Sequence, residues 1–275
     1  MLELDLDDLR EVYGHYLPGR RFPKTIAPGV QWLGGCSAIA LDEGRPDIRH
    51  SQCNCYLVTG DTGTLLVDSG HPAFWGGYRD ALYQALDGRP LDYVMPTHAE
   101  VPHAGALTLL YHEWPGLTVV GNTQDYHLFH PELPDSAYRP MPVVGNQLVD
   151  LGGRTFEIMP ALFKDLATTV WGFDDRTKVF FPADAFAYMH WHSEDACGLT
   201  MEELPGEPEP DNFQFIISGV QYRDMNEKVD RFQELMTEYQ VVTLAPAHGT
   251  VLTDMARTRW FLDGLREMTP DKAGH

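Results

Sequence analysis

The stretch PTHAEVPHAG, residues 96–105, sets His98, Glu100 and His103 within six positions, directly after the apolar run LDYVM. Three further side chains of the same chemistry stand in the same kind of place: Asp68 follows GTLLV, Asp184 follows KVFFPA, and His248 follows VVTLAPA. Imidazole nitrogen combined with carboxylate oxygen is a donor set suited to Fe, Zn or Mn. A metal also needs its ligands on rigid elements, and the ends of strands supply that rigidity. A single histidine in such a segment is more often a packed or polar-turn residue; several strand ends with matching donors form a stronger signal. His127 and His130, in YHLFHPEL, read as ordinary helix-end histidines. Cys36, Cys53, Cys55 and Cys197 lack C-x-x-C spacing and are too few for a disulfide framework at this length, so they read as buried or half-buried thiols. Cys53 and Cys55, two apart on a strand, share a face.

The elements that would position these residues follow from the hydrophobic pattern. DLDDLREVYGHYL has helical spacing and breaks at PGRRFPKTIAPG; VQWLGG, CNCYLVTG and GTLLVDSG then read as strands, the last two joined by GDTG. HPAFWGGYRDALYQAL follows as a helix, LDYVM as a strand and VPHAGALTLLYHEW as one more helix. LTVVGN is strand-like, TQDYHLFHPEL a helix or turn, NQLVDLGGRTFEIMP a pair of strands around GG, and TTVWGFDDRTKVFFPAD a hairpin turning at DDRT. MNEKVDRFQELMTEYQ carries Val229, Phe232, Leu235, Met236 and Tyr239 on one stripe, VVTLAPAHG is a final strand and TDMARTRWFLDGLREM a final helix. Strands and helices interleaved in both halves predict a layered α/β fold, with chemistry at strand-to-loop junctions.

At 275 residues the chain fits one large domain, with EELPGEPEPDN at 202–212 as an inserted loop. A net charge of −20 repels phosphate backbones and anionic headgroups, which excludes nucleic acid and acidic membranes as partners. No run approaches the roughly 20 apolar residues of a membrane span. The start, MLELDLDDLREVY, is acidic where a signal peptide is basic and then apolar, so the expected location is the cytoplasm.

LLVDSG, the H-x-E-x-x-H of THAEVPH, FFPADAF and APAHG stand in the order and approximate spacing of the metallo-β-lactamase superfamily, which the chain resembles over roughly residues 28–265. Glu100, in place of a second histidine, resembles the flavodiiron branch, as do PAL at 160–162, PADAF and the run from Asn212 to Gly249. The resemblance implies an α/β fold of the αββα sandwich type over residues 28–275, residues 1–27 being an N-terminal extension. It further implies one or two metal ions, with His98 and Glu100 on the first, His103 and His248 on the second, Asp184 bridging, and Asp68 a structural residue at the site floor. Two departures stand out. Pro102 replaces the aspartate of H-x-E-x-D-H, and ALFKDLA replaces a histidine-bearing segment after Pro160, so that Phe163 falls at the ligand position. Asp165, or His190 and His192 in MHWHSED, or His50 and His71, would then fill open positions.

Two classes of chemistry are open to such a site. Hydrolysis uses a metal-bound water with its pKa brought toward ~7, oriented by Asp184 or Glu100, with His190 or His192 protonating the leaving group. Binding or reduction of O2 or NO at a non-haem diiron centre needs electrons, and no flavodoxin-like domain is apparent after residue 265, so that role calls for an external donor. On this ground hydrolysis ranks first. Phe163, Trp171, Phe186, Tyr188 and Trp191 suggest a small aromatic ester, lactone or aryl ether as substrate. A third expectation is a non-catalytic sensor or partner subunit, and a homodimer or a hetero-oligomer with a related subunit fits the resemblance.

Overall fold

A computed structural model describes residues 16–18, 22–40, 48–187, 190–192, 198–204 and 225–268. The helix expected before residue 16 and most of the loop at 202–212 lie outside the described residues. The first sheet contains β1 (Tyr16–Pro18), β2 (Lys24–Ala27), β3 (Val30–Ala40), β4 (Ile48–Thr59), β5 (Thr64–Val67), β6 (Tyr93–Met95), β7 (Thr118–Gly121), β8 (Tyr138–Pro140) and β13 (His190–His192). Its order is β1-β3-β4-β5-β6-β7-β8, with β2 on β3 and β13 on β4. Two short strands of the 1–27 segment thus pair with β3. The second sheet runs β14 (Thr243–Leu244), β12 (Val179–Phe181), β11 (Val170–Asp174), β10 (Thr155–Pro160), β9 (Gln147–Asp150).

Strand alternation builds the layers. On β4, Tyr56 and Val58 point to one core while Cys55 and Leu57 point to another; on β5, Leu65 and Val67 oppose Leu66 in the same way. The inner core lies between the sheets, where Trp32, Tyr56 and Met95 meet Phe156, Ile158 and Phe181. Leu33, Leu57, Leu66 and Val94 are covered by α1 (Trp75–Leu86), α3 (Leu107–Glu113) and Tyr126 of the short α4 (Tyr126–Phe129), and Trp171, Phe173 and Phe180 by α5 (Met225–Glu238) and α6 (Met255–Met268). Helix, sheet, sheet, helix is the αββα arrangement expected. Among the described residues no helix is long and apolar enough to cross a membrane.

The topology explains why the chemistry collects at one end. β5, β6 and β7 run parallel, so the residues after Val67 and Met95 emerge side by side. In the second sheet β14 runs parallel to β12, which brings the segments after Phe181 and Leu244 to a shared end. Carboxyl ends of parallel strands are where such sheets open onto ligands.

Three local expectations change. VPHAGALTLLYHEW forms two helices, α2 (Val101–Ala104) and α3, because Ala106 leaves the helical conformation (φ −93°, ψ 8°) and its N–H donates to the Gly70 carbonyl and the Ser69 hydroxyl at 3.1 and 3.0 Å. The strand in VVTLAPAHG shortens to two residues, since Pro246 has no N–H for the ladder; Ala245 and Ala247 instead donate to Phe180 and Ala183 at 2.8 and 2.9 Å. HPAF becomes a 3-10 turn over Pro72–Phe74, in which the Ala73 N–H donates to His71 Nδ1 at 3.1 Å before α1 begins.

Candidate metal centre

Asp68, first after β5, holds a backbone φ of +59°, uncommon for a residue with a Cβ. Its fully buried carboxylate accepts from the Thr97 N–H at 2.7 Å and the Thr97 hydroxyl at 2.9 Å through Oδ1. Oδ2 faces His103 Nδ1 at 3.1 Å. Ser69 N–H donates to the His103 carbonyl at 2.6 Å, so α2 is pinned to the end of β5 by side chain and backbone together. Ala183, just before Asp184, also has positive φ, +51°, and its carbonyl accepts from Ala247 N–H at 2.9 Å. Non-glycine residues held there cost on the order of 1–3 kcal/mol each and persist only where surroundings over-determine them. Both outliers sit immediately against the donor cluster.

His248 is placed from the opposite side. Asn54, polar and buried on β4, accepts from Trp32 Nε1 at 2.8 Å and donates to the carbonyls of Pro246 and Gly249 at 2.8 and 2.7 Å. Tyr56 Oη donates to the Pro246 carbonyl at 2.7 Å, and His248 Nδ1 lies 2.6 Å from the Gln52 carbonyl oxygen. With Nδ1–H committed there, Nε2 is the nitrogen that faces the centre, the usual outer arrangement of a ligating histidine.

Around this frame the donors converge. His98 Nε2 is 3.4 Å from Asp165 Oδ2, 3.7 Å from Asp184 Oδ2 and 3.8 Å from Glu100 Oε2. The other Asp184 oxygen, Oδ1, stands 3.5 Å from His103 Nε2 and 3.7 Å from His248 Nε2. Donor atoms of His98, Glu100, His103 and Asp184 all lie within 4.8 Å of one another. Atoms bound about 2.1 Å from a common ion stand about 3.0–3.4 Å apart at right-angled or tetrahedral geometry, so the pairs at 3.4–3.8 Å are within a few tenths of an ångström of a ligand shell. His98 Nε2, His103 Nε2 and Asp184 Oδ1 are buried without a hydrogen-bond partner. Buried polar atoms are nearly always satisfied, and a cation would be a partner common to all three. The residues therefore fit one or two metal ions.

The electrostatics agree. Burial works against a charged His98, but Glu100, Asp184, Asp165 and Asp68 outweigh it and hold its pKa above the usual imidazole range. For His248 burial again opposes charge, while Asp184, Cys53 and the Gln52 carbonyl push the pKa up to about 10. Four carboxylates in this small volume create a demand for positive charge that an ion meets.

The structure brings His98, Glu100, His103 and Asp184 together, with His248 3.7 Å from Asp184 and Asp68 against His103. Phe163 does not occupy a ligand position: it turns into the apolar cluster, with ring centroids 5.9 Å from Trp171 and 5.7 Å from Phe232. Trp171 and Phe186 are buried in the same cluster, and Tyr188 and the side chain of Trp191 lie outside the described residues. His190 and His192 fall on β13, with His190 in register with His50. His71 spends Nδ1 on its turn, and His130 pairs with the Thr108 hydroxyl at 3.0 Å. Cys53 and Cys55 are free thiols, half-buried and buried. Thr97, Asn54 and Thr169 are positioning residues that periodicity does not single out. A polar residue within an apolar strand, as in CNCYLV, was the available hint for Asn54.

Comparison with known proteins corrects the chemistry. The chain is 28% identical over 200 residues to diflavin flavoprotein A 1 of Synechocystis sp., a match that covers 72% of this chain and 34% of that one. It is 25% identical over 242 residues to coenzyme F420H2 oxidase of Methanothermobacter marburgensis, covering 84% and 58%. The chain therefore spans between about a third and three-fifths of the length of these relatives. Its fold superposes on rubredoxin oxygen:oxidoreductase from Desulfovibrio gigas with a TM-score of 0.70 at 17% identity, over 89% of this chain and 60% of that one. The two sequence relatives are a flavoprotein and an oxidase by name, which overturns the ranking of hydrolysis first; the proton-donor role of His190 and His192 belongs to that chemistry and is not carried forward. Residues 48–242 match the metallo-beta-lactamase superfamily model, and the chain belongs to that superfamily.

Proposed function

We propose that this chain is the metal-bearing module of an oxidoreductase that binds and reduces O2 or NO at a pair of iron ions, using electrons from an external donor. The observation that carries this reading is Asp184: its two oxygens face two different sets of donors, Oδ2 toward His98 and Oδ1 toward His103 and His248. A carboxylate so placed would serve both metal positions. His98 and Glu100 would hold the first and His103 and His248 the second. The named activity of the F420H2 oxidase relative, aligned over 84% of this chain, supports the same class of reaction.

Iron bound here would supply redox electrons and open coordination positions for a diatomic ligand. The chain's own residues do the rest. Asp68 and Thr97 lock the His103 ring, and Gln52 locks His248, so that both Nε2 atoms point inward without rearrangement. His98 is fully buried, which keeps bulk water from its side of the centre, while the Glu100 side chain is 50% exposed and links the centre to solvent for proton exchange.

The test is anaerobic loading with Fe(II), followed by O2 or NO in the presence of a chemical reductant. Consumption of the gas with an iron-dependent change in absorbance, both lost in His98→Ala and His248→Ala, is the expected result. Iron binding without gas uptake would point to the sensor or partner-subunit role instead. Turnover of esters or lactones by the zinc-loaded protein, with no response to either gas, would overturn the proposal.

A further inference from the structure

We propose that Asp165 is a ligand of the first metal position, a carboxylate standing in for the imidazole that the segment after Pro160 lacks; this rests on the metal centre described above. Asp165 Oδ2 lies 3.4 Å from His98 Nε2, the shortest of the three carboxylate approaches to that nitrogen. His98 is fully buried and its Nε2 has no hydrogen-bond partner, so the contact is one of two donors facing a common centre.

The rest of the Asp165 side chain is already committed. Oδ1 accepts from the Thr169 hydroxyl at 2.9 Å and from the Leu166 N–H at 2.8 Å, which clamps the carboxylate and leaves Oδ2 aimed inward. The loop that carries it is tied to the first donor segment, because Val170 N–H donates to the carbonyl of Thr97, the residue preceding His98, at 2.9 Å. Phe163, two residues earlier, anchors the loop from the other side by burying its ring among Trp171 and Phe232. Asp165 is thus held by side chain, backbone and core at once, which is how a preorganised ligand is built.

The consequence is a chemically lopsided pair. The first position gathers one imidazole and three carboxylates, His98 with Glu100, Asp165 and Asp184; the second has His103, His248 and the other oxygen of Asp184. Carboxylate oxygens favour hard cations such as Mn2+, whereas imidazoles suit Fe and Zn. The first position will therefore take Mn2+ readily, and do so through Asp165.

The experiment measures Mn2+ binding to the metal-free full chain by equilibrium dialysis and by loss of the free-ion EPR signal, with circular dichroism and urea unfolding to confirm the fold of each variant. Asp165→Asn keeps the shape and loses the charge, and Asp165→Ala loses both. Each is expected to weaken the tighter Mn2+ site by at least about tenfold. Asp165→His, which restores an imidazole, is expected to keep one ion per chain and to shift preference from Mn2+ toward Zn2+. Thr169→Val, which releases the clamp, should fall in between. Wild-type affinity in both Asp165→Asn and Asp165→Ala would overturn the proposal while leaving the centre itself in place. Absence of Mn2+, Fe2+ and Zn2+ binding by the unaltered chain would instead remove the centre on which it rests.

Discussion

Asp68→Asn tests whether the floor of the site sets the proton on His103. In the native chain Asp68 is acceptor only: Oδ1 takes two bonds from Thr97 and Oδ2 faces His103 Nδ1, so the imidazole proton sits on Nδ1 and the Nε2 lone pair points at the centre. Asparagine can keep the two Thr97 bonds through its carbonyl oxygen, but its NH2 then meets Nδ1 as a donor. His103 satisfies it by moving its proton to Nε2, the atom 3.5 Å from Asp184 Oδ1, and a protonated Nε2 has no lone pair for a metal. Loss of an outer partner of a ligating histidine costs about 10–100-fold in metal affinity, or about 1.4–2.8 kcal/mol. The metal-free protein loses in addition one charge-assisted hydrogen bond for a neutral one, a loss of about 1–2 kcal/mol. Long-range 1H–15N correlation of the imidazole rings reports the tautomer directly, and metal titration reports the affinity. Retention of the Nδ1–H form together with native metal affinity would refute the reasoning, because Thr97, 3.2 Å from the same nitrogen, would then be sufficient by itself.

Three further outcomes follow from the same geometry. Asn54→Ala removes one hydrogen bond to Trp32 Nε1 and two to the loop that carries His248, leaving buried groups unpaired; the expected loss is about 2–4 kcal/mol, a fall in urea midpoint near 1 M for a slope of about 3 kcal/mol/M, accompanied by weaker binding at the His103–His248 position. An unchanged midpoint would show that Tyr56 and the Ala247–Ala183 bond hold the loop alone. Arg154→Met breaks a pair whose side chains are both essentially inaccessible, Nε to Asp174 Oδ1 at 3.3 Å, and strands the Asp174 charge in the core; about 3–5 kcal/mol is lost, and adding Asp174→Leu should recover most of it in urea unfolding. Stripping the metal with a chelator removes about 2.7 kcal/mol relative to a free metal level 100-fold above Kd, a drop in melting temperature of about 5–10 °C that scanning calorimetry would detect; identical melting with and without metal would contradict a centre made of the residues named here.

What the sequence settled by itself was the kind of fold and the chemistry of the donors. Period-two alternation in CNCYLV and GTLLV and the stripe on α5 are local properties, and they specify which faces are buried regardless of neighbours. His98, Glu100 and His103 sit close enough in sequence to be read as one cluster, and Asp184 and His248 share the strand-end context that marks such ligands. The tertiary structure alone placed the near-sequence candidates relative to His98. Phe163 and Asp165 are two residues apart on an irregular loop with no period to assign their faces; the apolar cluster around Phe232 takes the ring, and the loop's tie to Thr97 delivers the carboxylate to His98. The same holds for Asn54, Thr97 and Thr169, whose roles depend on hydrogen bonds to segments far along the chain. Contacts of that range are set by how two sheets stack and which strand ends run parallel, a property of the assembled fold that no short window of residues encodes.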